Sequence, residues 1–228
     1  MAATKVVWEN EKFVGESLTE AEAEILNHQV KNFLAAPGSF LNWLLAINMD
    51  RIRGAAEVAK AHLEAPFAGM SAGDSEIGLQ LIRPSYIMRT TAATEAATND
   101  WTFTLTDNGD YWLGYGTDNT TALNIDKRLC LLWLGVAWSQ GNAPRVEELL
   151  IQVGGTIYPV YNLRWGWQGD NQWNVRALPI RPILLPPKQT LLVQTWSLGA
   201  SSQEMQVLGI AFGKGDLLRA ANPTVIQT

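Results

Sequence analysis

The sequence predicts an α+β, mainly β protein in which an N-terminal helical hairpin is followed by an antiparallel β-sandwich. Three features predict this class. Apolar residues recur at helical spacing in the first quarter of the chain, they alternate with polar residues further on, and turn residues return about every ten positions. A loop of small residues, 65–75, separates the two patterns. We therefore predict an N-terminal arm and helical hairpin over residues 1–72 and the sandwich over residues 73–228.

The helical hairpin is predicted over residues 17–64. Ser17 and Glu20 have the spacing of a capping box, in which each side chain satisfies a free backbone N–H of the first turn. A Pro-Gly pair at 37–38 ends the first helix, and Ser39 is predicted to cap the second. Gly54 interrupts the apolar stripe of this second helix.

A β-hairpin is predicted where residues 101–106 alternate strictly between large apolar residues and threonine. Asn-Gly at 108–109 is a strong signal for a two-residue turn, because both residues tolerate positive φ, and 111–115 would form the returning strand. Asp107 and Asp110 stand close enough to share a cation. Since the turn itself requires such residues, no metal site is predicted.

The remaining strands are predicted from short apolar or alternating runs between turn residues. They span 77–89, 129–138, 146–153, 156–164, 172–177, 190–198 and 205–213. No helical pattern separates them in the second half, which favours an antiparallel sandwich or barrel over a parallel α/β fold. The run 129–138 is apolar at both parities, so both of its faces should be covered, either by the N-terminal helices or by a neighbouring subunit.

Composition restricts the possible functions. The net charge is -5 and Lys and Arg form no block, which disfavours direct nucleic-acid binding. The chain shows neither a secretory signal nor an apolar run of about 18 residues, so we expect a soluble protein made in a cytoplasm, with no membrane partner. Charged residues make up only 17% of the chain, which suggests that partner proteins cover some of its surface.

The chain is poor in residues that carry chemistry. His28 and His62 are its only histidines, and both fall on predicted helices, which argues against a metal-binding sandwich with histidine ligands on its strands. Cys130 lies inside an apolar run and is predicted to be a small core residue. We therefore predict no catalytic residue, no metal site and no cofactor.

The ten tryptophans are the most informative residues. Three of them crowd a segment rich in amide side chains, which is typical of protein interfaces and also of sugar sites where a ring stacks on an aromatic side chain. Simple packing in the core is the third interpretation of this segment, and the interface is favoured over the sugar site. Together with the tryptophans of the 129–138 run these three form the predicted interface set: Trp133, Trp138, Trp165, Trp167 and Trp173.

Segments 146–160, 184–193 and 207–212 resemble the single jelly-roll virion proteins of tailed phages and related viruses. The likeness extends over roughly residues 75–215 and lies in extended strands, a Pro-Pro turn before a Gln-Thr-Leu-Leu-Val strand, and a late Leu-Gly-Ile strand. It implies a capsid cement, decoration or minor capsid subunit in the virion, which forms a homo-oligomer, expected to be a trimer, and binds other capsid proteins without a cofactor. The N-terminal helices depart from the minimal decoration module. The alternative is a carbohydrate-binding β-sandwich that uses residues 165–173.

Overall fold

The structure, a computed structural model, describes residues 13, 15–33, 39–87, 101–105, 109–112, 123–138, 146–163, 176–197 and 201–219. It confirms the predicted α+β class with antiparallel sheets. The helices are α1 (Glu20–Phe33), α2 (Phe40–Ile47), α3 (Met49–Leu63), α4 (Pro84–Ile87) and α5 (Gly215–Arg219), with a 3₁₀ turn at Gly69–Ser71.

The strands fall into two sheets. They are β1 (Ile77–Leu81), β2 (Thr102–Leu105), β3 (Gly109–Trp112), β4 (Leu123–Asn124), β5 (Leu129–Trp138), β6 (Val146–Val153), β7 (Thr156–Ile157), β8 (Tyr161–Asn162), β9 (Arg176–Leu185), β10 (Thr190–Ser197) and β11 (Ser201–Lys214). Sheet 1 has the order β1-β11-β5-β9, with β2 also paired to β11. Sheet 2 has the order β3-β10-β6-β7, with β4 paired to β10 and β8 paired to β6.

The first helix begins two residues later than the predicted capping box implies. Thr19 is the cap, because its hydroxyl accepts from Glu22 N at 3.3 Å and its own N–H donates to Glu22 Oε2 at 2.8 Å. The same box chemistry is present, displaced by two residues from Ser17 and Glu20. Two hydroxyl–carboxyl pairs with capping-box spacing overlap here, Ser17 with Glu20 and Thr19 with Glu22. The second pair forms the cap, because Glu22 also accepts a hydrogen bond from the buried N–H of Phe67.

The second predicted helix is divided into α2 and α3. Ser39 caps α2 as predicted, accepting from Asn42 N at 3.2 Å. The break falls at Asn48, whose side chain donates to Leu44 O at 2.8 Å and so competes with the helical hydrogen bonds. Gly54 interrupts the apolar stripe but not the helix. It lies inside α3, where a Cβ would stand only 3.0 Å from Phe13, so glycine allows the N-terminal segment to cross the helix closely.

Strand β5 is covered on both faces within the chain. Leu129, Leu131 and Trp133 point into the core between the two sheets, whereas Cys130, Leu132 and Leu134 point into the core beneath the helices. Of the two predicted covers, the N-terminal helices are the one present. Cys130 is a buried core residue as predicted, and burial raises the pKa of its thiol.

The helices and sheet 1 share one hydrophobic core. Leu44 of α2, Ile52 of α3 and Phe212 of β11 are all fully or almost fully buried in it. The predicted boundary at 72/73 lies between α3 and β1 along the sequence, while in space α3 packs on β5 and β11.

A bulge in β5 lets the helices approach the sheet. The register with both neighbouring strands shifts between Trp133 and Gly135, and beyond it the even-numbered residues Val136 and Trp138 face the intersheet core. A Cβ on Gly135 would lie 3.1 Å from the Leu44 side chain of α2 and 2.9 Å from a backbone oxygen of β9. Glycine is therefore required where helix, bulge and edge strand meet.

The predicted hairpin at 101–115 is wrong. Its two strands exist as β2 and β3, but β2 pairs with β11 in sheet 1 and β3 pairs with β10 in sheet 2. Pairing with the long strands β10 and β11 is more stable than pairing of the two four-residue strands with each other, since an isolated two-stranded hairpin is only marginally stable. The residues 106–108 between them, with Asp107, lie outside the described part.

Other strand predictions differ in accuracy. Those at 129–138 and 146–153 are confirmed residue for residue. The strand predicted at 77–89 ends at Leu81, because Pro84 starts the short helix α4. Of the strand predicted at 172–177, residues 172–175 lie outside the described part, and the described strand runs from Arg176 to Leu185.

Candidate interaction surface

Two of the five predicted interface tryptophans lie in the core. Trp133 is fully buried and Trp138 is 5% exposed, both in the core between the sheets, so neither ring offers surface to a partner protein. The run that holds them is apolar because it is packed on both faces inside the chain. Trp165, Trp167 and Trp173 lie outside the described residues.

The outer edge of sheet 1 at β9 is closed to further strands. Pro179 and Pro182 provide no backbone N–H, which is typical of edge strands that must not pair with another chain. Between them, the N–H of Arg181 donates to the Tyr161 hydroxyl at 3.1 Å, so a side chain from sheet 2 occupies this donor. Tyr161 thereby links the two sheets at their margin.

The opposite edge of sheet 1, at β1, is closed by a different device. The segment before the 3₁₀ turn runs alongside β1, with Ile77 N donating to Pro66 O and Ala68 N donating to Ile77 O. Its next outward donors are taken by side chains of α1: Phe67 N donates to Glu22 Oε1 at 2.9 Å and Met70 N to Gln29 Oε1 at 2.8 Å. Helix α1 therefore caps the edge with a carboxylate and an amide.

Glu22 is the centre of this closure. Its other carboxylate oxygen accepts from Lys60 Nζ of α3 at 2.9 Å and from the Thr19 N–H at 2.8 Å. Burial alone would raise the pKa of this carboxyl, but the hydrogen bonds from Phe67, Lys60 and Thr19 outweigh it and lower the pKa to about 2. The contact with Glu22 in turn raises the pKa of Lys60.

The outer side of the helix layer is a charged, solvated surface. Glu20, Glu24 and Lys31 are exposed on α1, and Asp50 and Arg53 are exposed on α3. This pattern is typical of an amphipathic helix whose apolar stripe is already used for packing.

The outer face of sheet 2 is very different, and eight of its described side chains form what we call the open face. They lie in three rows across the strands: Ile157, Gln152 and Leu192; then Leu150 and Gln194; then Asn162, Glu148 and Trp196. The residues between them, such as Leu149, Ile151 and Val193, point into the intersheet core. Because alternate residues of a strand point to opposite sides, the open face looks away from the molecule.

The open face is mostly uncharged. Four of its side chains are apolar, three are amides, and Glu148 is the one charged member. Ile157 is 64% exposed and Trp196 is 48% exposed, both unusual for such large apolar side chains. No ion pair of Glu148 occurs among the residues that the structure describes.

Comparison with protein-family models, with curated proteins and with solved structures finds no match to this chain. Its own geometry is therefore what supports a function.

Sites for small ligands are poorly developed in the described part of the chain. A cavity of about 230 Å³ lies between the 3₁₀ turn, β1 and α5, lined among others by Met70, Leu79, Gln80 and Arg219. It is smaller than the ~300–1,000 Å³ of typical ligand pockets. His28 and His62 lie on α1 and α3 as predicted, both exposed. Within the described ranges there is no cluster of three metal-ligating side chains, and no helix there has the length and apolarity to cross a membrane.

The sequence analysis missed the open face. Its signal was present in β10, where Thr190 and Gln194 share the parity of Leu192 and Trp196, while Leu191 and Val193 occupy the other. Threonine and glutamine on one parity of a strand indicate that this side faces solvent, so the tryptophan that shares it should be exposed.

Proposed function

We propose that the two sheets form a jelly-roll sandwich and that the protein is a structural virion subunit, a capsid cement, decoration or minor capsid protein, acting through protein–protein contacts. The observation that carries the proposal is the strand order. If β1 with β2 counts as the first strand and β7 with β8 as the fifth, the chain has eight strand positions, with the small β4 as an addition to sheet 2.

The pairing of these positions follows one rule. The first pairs with the eighth, the second with the seventh, the third with the sixth and the fourth with the fifth, all antiparallel. This is one long hairpin rolled up so that successive pairs alternate between the two sheets. Such a double Greek key supports the jelly-roll assignment, and viral capsid proteins, lectins and cupins use this architecture.

The resemblance in sequence favours the virion class among these. Its three segments correspond to β6 with β7, to the turn from β9 into β10, and to β11. They therefore belong to strands of both sheets. The closed edges of sheet 1 also suit a subunit at high local concentration in a shell, where an unprotected edge would recruit further chains.

The trimer belongs to the proposal through the resemblance alone. Strand β5 no longer requires a second copy, since both of its faces are covered within the chain. Sedimentation velocity of the purified protein at micromolar concentration tests this part. A trimeric boundary supports it, and a monomer that persists with rising concentration refutes it.

Particle purification tests the function itself. Virions produced with this chain present are purified on a density gradient and their proteins quantified by mass spectrometry. We expect the chain at a fixed ratio to the major shell protein across the particle peak, with an abundant host protein as the control for carry-over. A chain found only in the soluble fractions overturns the proposal.

A carbohydrate-binding role is the second candidate, and Trp196 is the observation that favours it. This half-exposed ring pairs across the strand with Glu148, and an aromatic face beside a carboxylate is a common setting for a sugar. A glycan array separates the candidates: specific binding that is lost in Trp196→Ala, or in the triple variant Trp165→Ala, Trp167→Ala, Trp173→Ala, establishes the lectin function.

A further inference from the structure

The described part of the molecule leaves one extended surface for a protein partner. The outer face of sheet 1 is covered by helices, its β9 edge lacks donors at Pro179 and Pro182, and its β1 edge is capped by Glu22 and Gln29. The outer side of the helices is charged and solvated. Among the surfaces that the structure describes, the open face is the one that combines the outer side of a sheet with large exposed apolar side chains.

The charge of the open face argues against a second copy as its occupant. Glu148 is the one charge among its described side chains, and the whole chain carries a net charge of -5. Two copies placed face to face would bring acid towards acid with no described base to balance it, and like charges across an interface are unfavourable. A partner that carries a Lys or Arg opposite Glu148 is complementary instead.

The size of the open face leads to the same conclusion. Eight residues of strand by three strand positions cover about 400 Å² in plan, using ordinary strand spacings. A lasting pair needs roughly 800 Å² on each partner. One such contact is therefore weak alone, but copies arrayed on a repetitive lattice are held by many neighbouring contacts at once.

We propose that the open face is the surface that docks this protein onto a different, repetitive shell protein, whose contact surface presents apolar side chains to Trp196 and Leu192 and a basic side chain to Glu148. This inference rests on the proposed virion function, because it names the partner chemistry of that role. The helix layer then faces away from the shell.

Photo-crosslinking inside assembled particles tests the inference. A benzoylphenylalanine is placed at Gln194, in the middle of the open face, and in a matched protein at Asn27, exposed on α1. After irradiation of purified particles we expect an adduct with one other shell protein from position 194 and none from position 27. An adduct with a second copy from position 194, or shell adducts only from position 27, overturns the inference while the particle location still stands.

Two matched pairs of variants supply an independent measurement, the amount of protein incorporated per particle. Glu148→Lys should reduce incorporation about tenfold, whereas Glu24→Lys, the same charge change on the helix layer, should not. Trp196→Ala should also reduce it about tenfold, whereas Ile47→Ala, an exposed apolar residue on α2, should not.

Thermal melting of all four variants confirms that they fold. Normal incorporation of both folded open-face variants overturns the inference, as does glycan binding that Trp196→Ala abolishes. Absence of the wild-type chain from particles is the separate result that removes the proposed function itself.

Discussion

The indole N–H of Trp133 donates a hydrogen bond to the carbonyl oxygen of Gly135, two residues further along the same strand, at 2.8 Å. Both groups are buried between the two sheets. The bulge at this point removes one residue from the β ladder, and the indole provides a donor for a carbonyl beside it. Trp133 is therefore a residue that stabilises the bend of β5, with no surface left for a partner.

Replacing Trp133 by Phe should lower the free energy of unfolding by about 2 kcal/mol or more, because it leaves a buried carbonyl without its donor and a gap where the second ring was. Urea denaturation followed by far-UV circular dichroism measures this without relying on tryptophan fluorescence. Trp196→Phe is the control, since this half-exposed ring should change stability by less than about 0.5 kcal/mol. Equal effects of both variants contradict the assignment.

Gly209→Ala should lower stability more than the addition of one methyl group would suggest. A Cβ at this position would stand 2.0 Å from the backbone oxygen of Leu132, which has no rotamer with which to move away. We expect a loss of about 3 kcal/mol of stability, or failure to fold. Gly73→Ala is the matched control, because its Cβ meets only the flexible Glu76 carboxylate. A folded Gly209→Ala protein with wild-type stability would falsify this packing.

Glu22→Gln should lower stability by about 3 kcal/mol at neutral pH, because the amide turns a donor towards groups that need an acceptor and leaves Lys60 with less compensation. Glu24→Gln, exposed on the same helix, is the control and should be nearly neutral. Hydrogen exchange should locate the loss at α1 and the segment of Phe67, since these are the elements that the carboxylate joins.

The same carboxylate predicts how stability depends on pH. Its pKa is about 2 in the folded protein and ordinarily 4.5, so the ionised form is favoured by folding. Its contribution is complete above pH 4.5 and is lost as the pH falls towards 2. The stability difference between wild type and Glu22→Gln should therefore shrink over this interval in urea titrations. A stability difference that stays constant from pH 4.5 to pH 2 excludes a stabilising role for the ionised Glu22 carboxylate.

The double variant His28→Gln, His62→Gln should keep the stability and the particle incorporation of the wild type. Both histidines are exposed on helices, and partial desolvation lowers the pKa of His62. Melting and quantitative mass spectrometry of particles check this. A bound metal or an activity that disappeared in the double variant, yet was present in the wild type, contradicts the non-catalytic interpretation.

Much of the fold was predictable where one local pattern decides the structure. The strand at 146–153 alternates between core and surface, and Ser39 had only one helix to cap, so both were predicted correctly. The double-sided run at 129–138 correctly indicated cover on both faces. The sequence alone could not decide between the N-terminal helices and a neighbouring subunit as the cover, because that choice depends on where α3 packs.

The errors arose where tertiary partners override local preference. Asn108-Gly109 signals a hairpin, yet β2 and β3 separate because β11 and β10 pair with them in different sheets. Pro179 and Pro182 argue against a strand, yet β9 tolerates them because its free side faces outward. Trp133 was chosen for its place in the apolar run 129–138, yet it lies in the core because both faces of β5 are covered within the chain. Trp196 is exposed because its side of β10 faces outward.

The position of β11 in sheet 1 also dictates when the molecule can fold. This strand lies between β1 and β5, and it pairs Lys214 with Ile77, so sheet 1 stays incomplete until nearly the whole described chain has been synthesised. Until then the edge of β5 that pairs with β11 is exposed, which favours aggregation. Contacts so distant in sequence also slow folding. The nascent protein should therefore depend on a chaperone, and its yield should respond to chaperone supply more than to temperature.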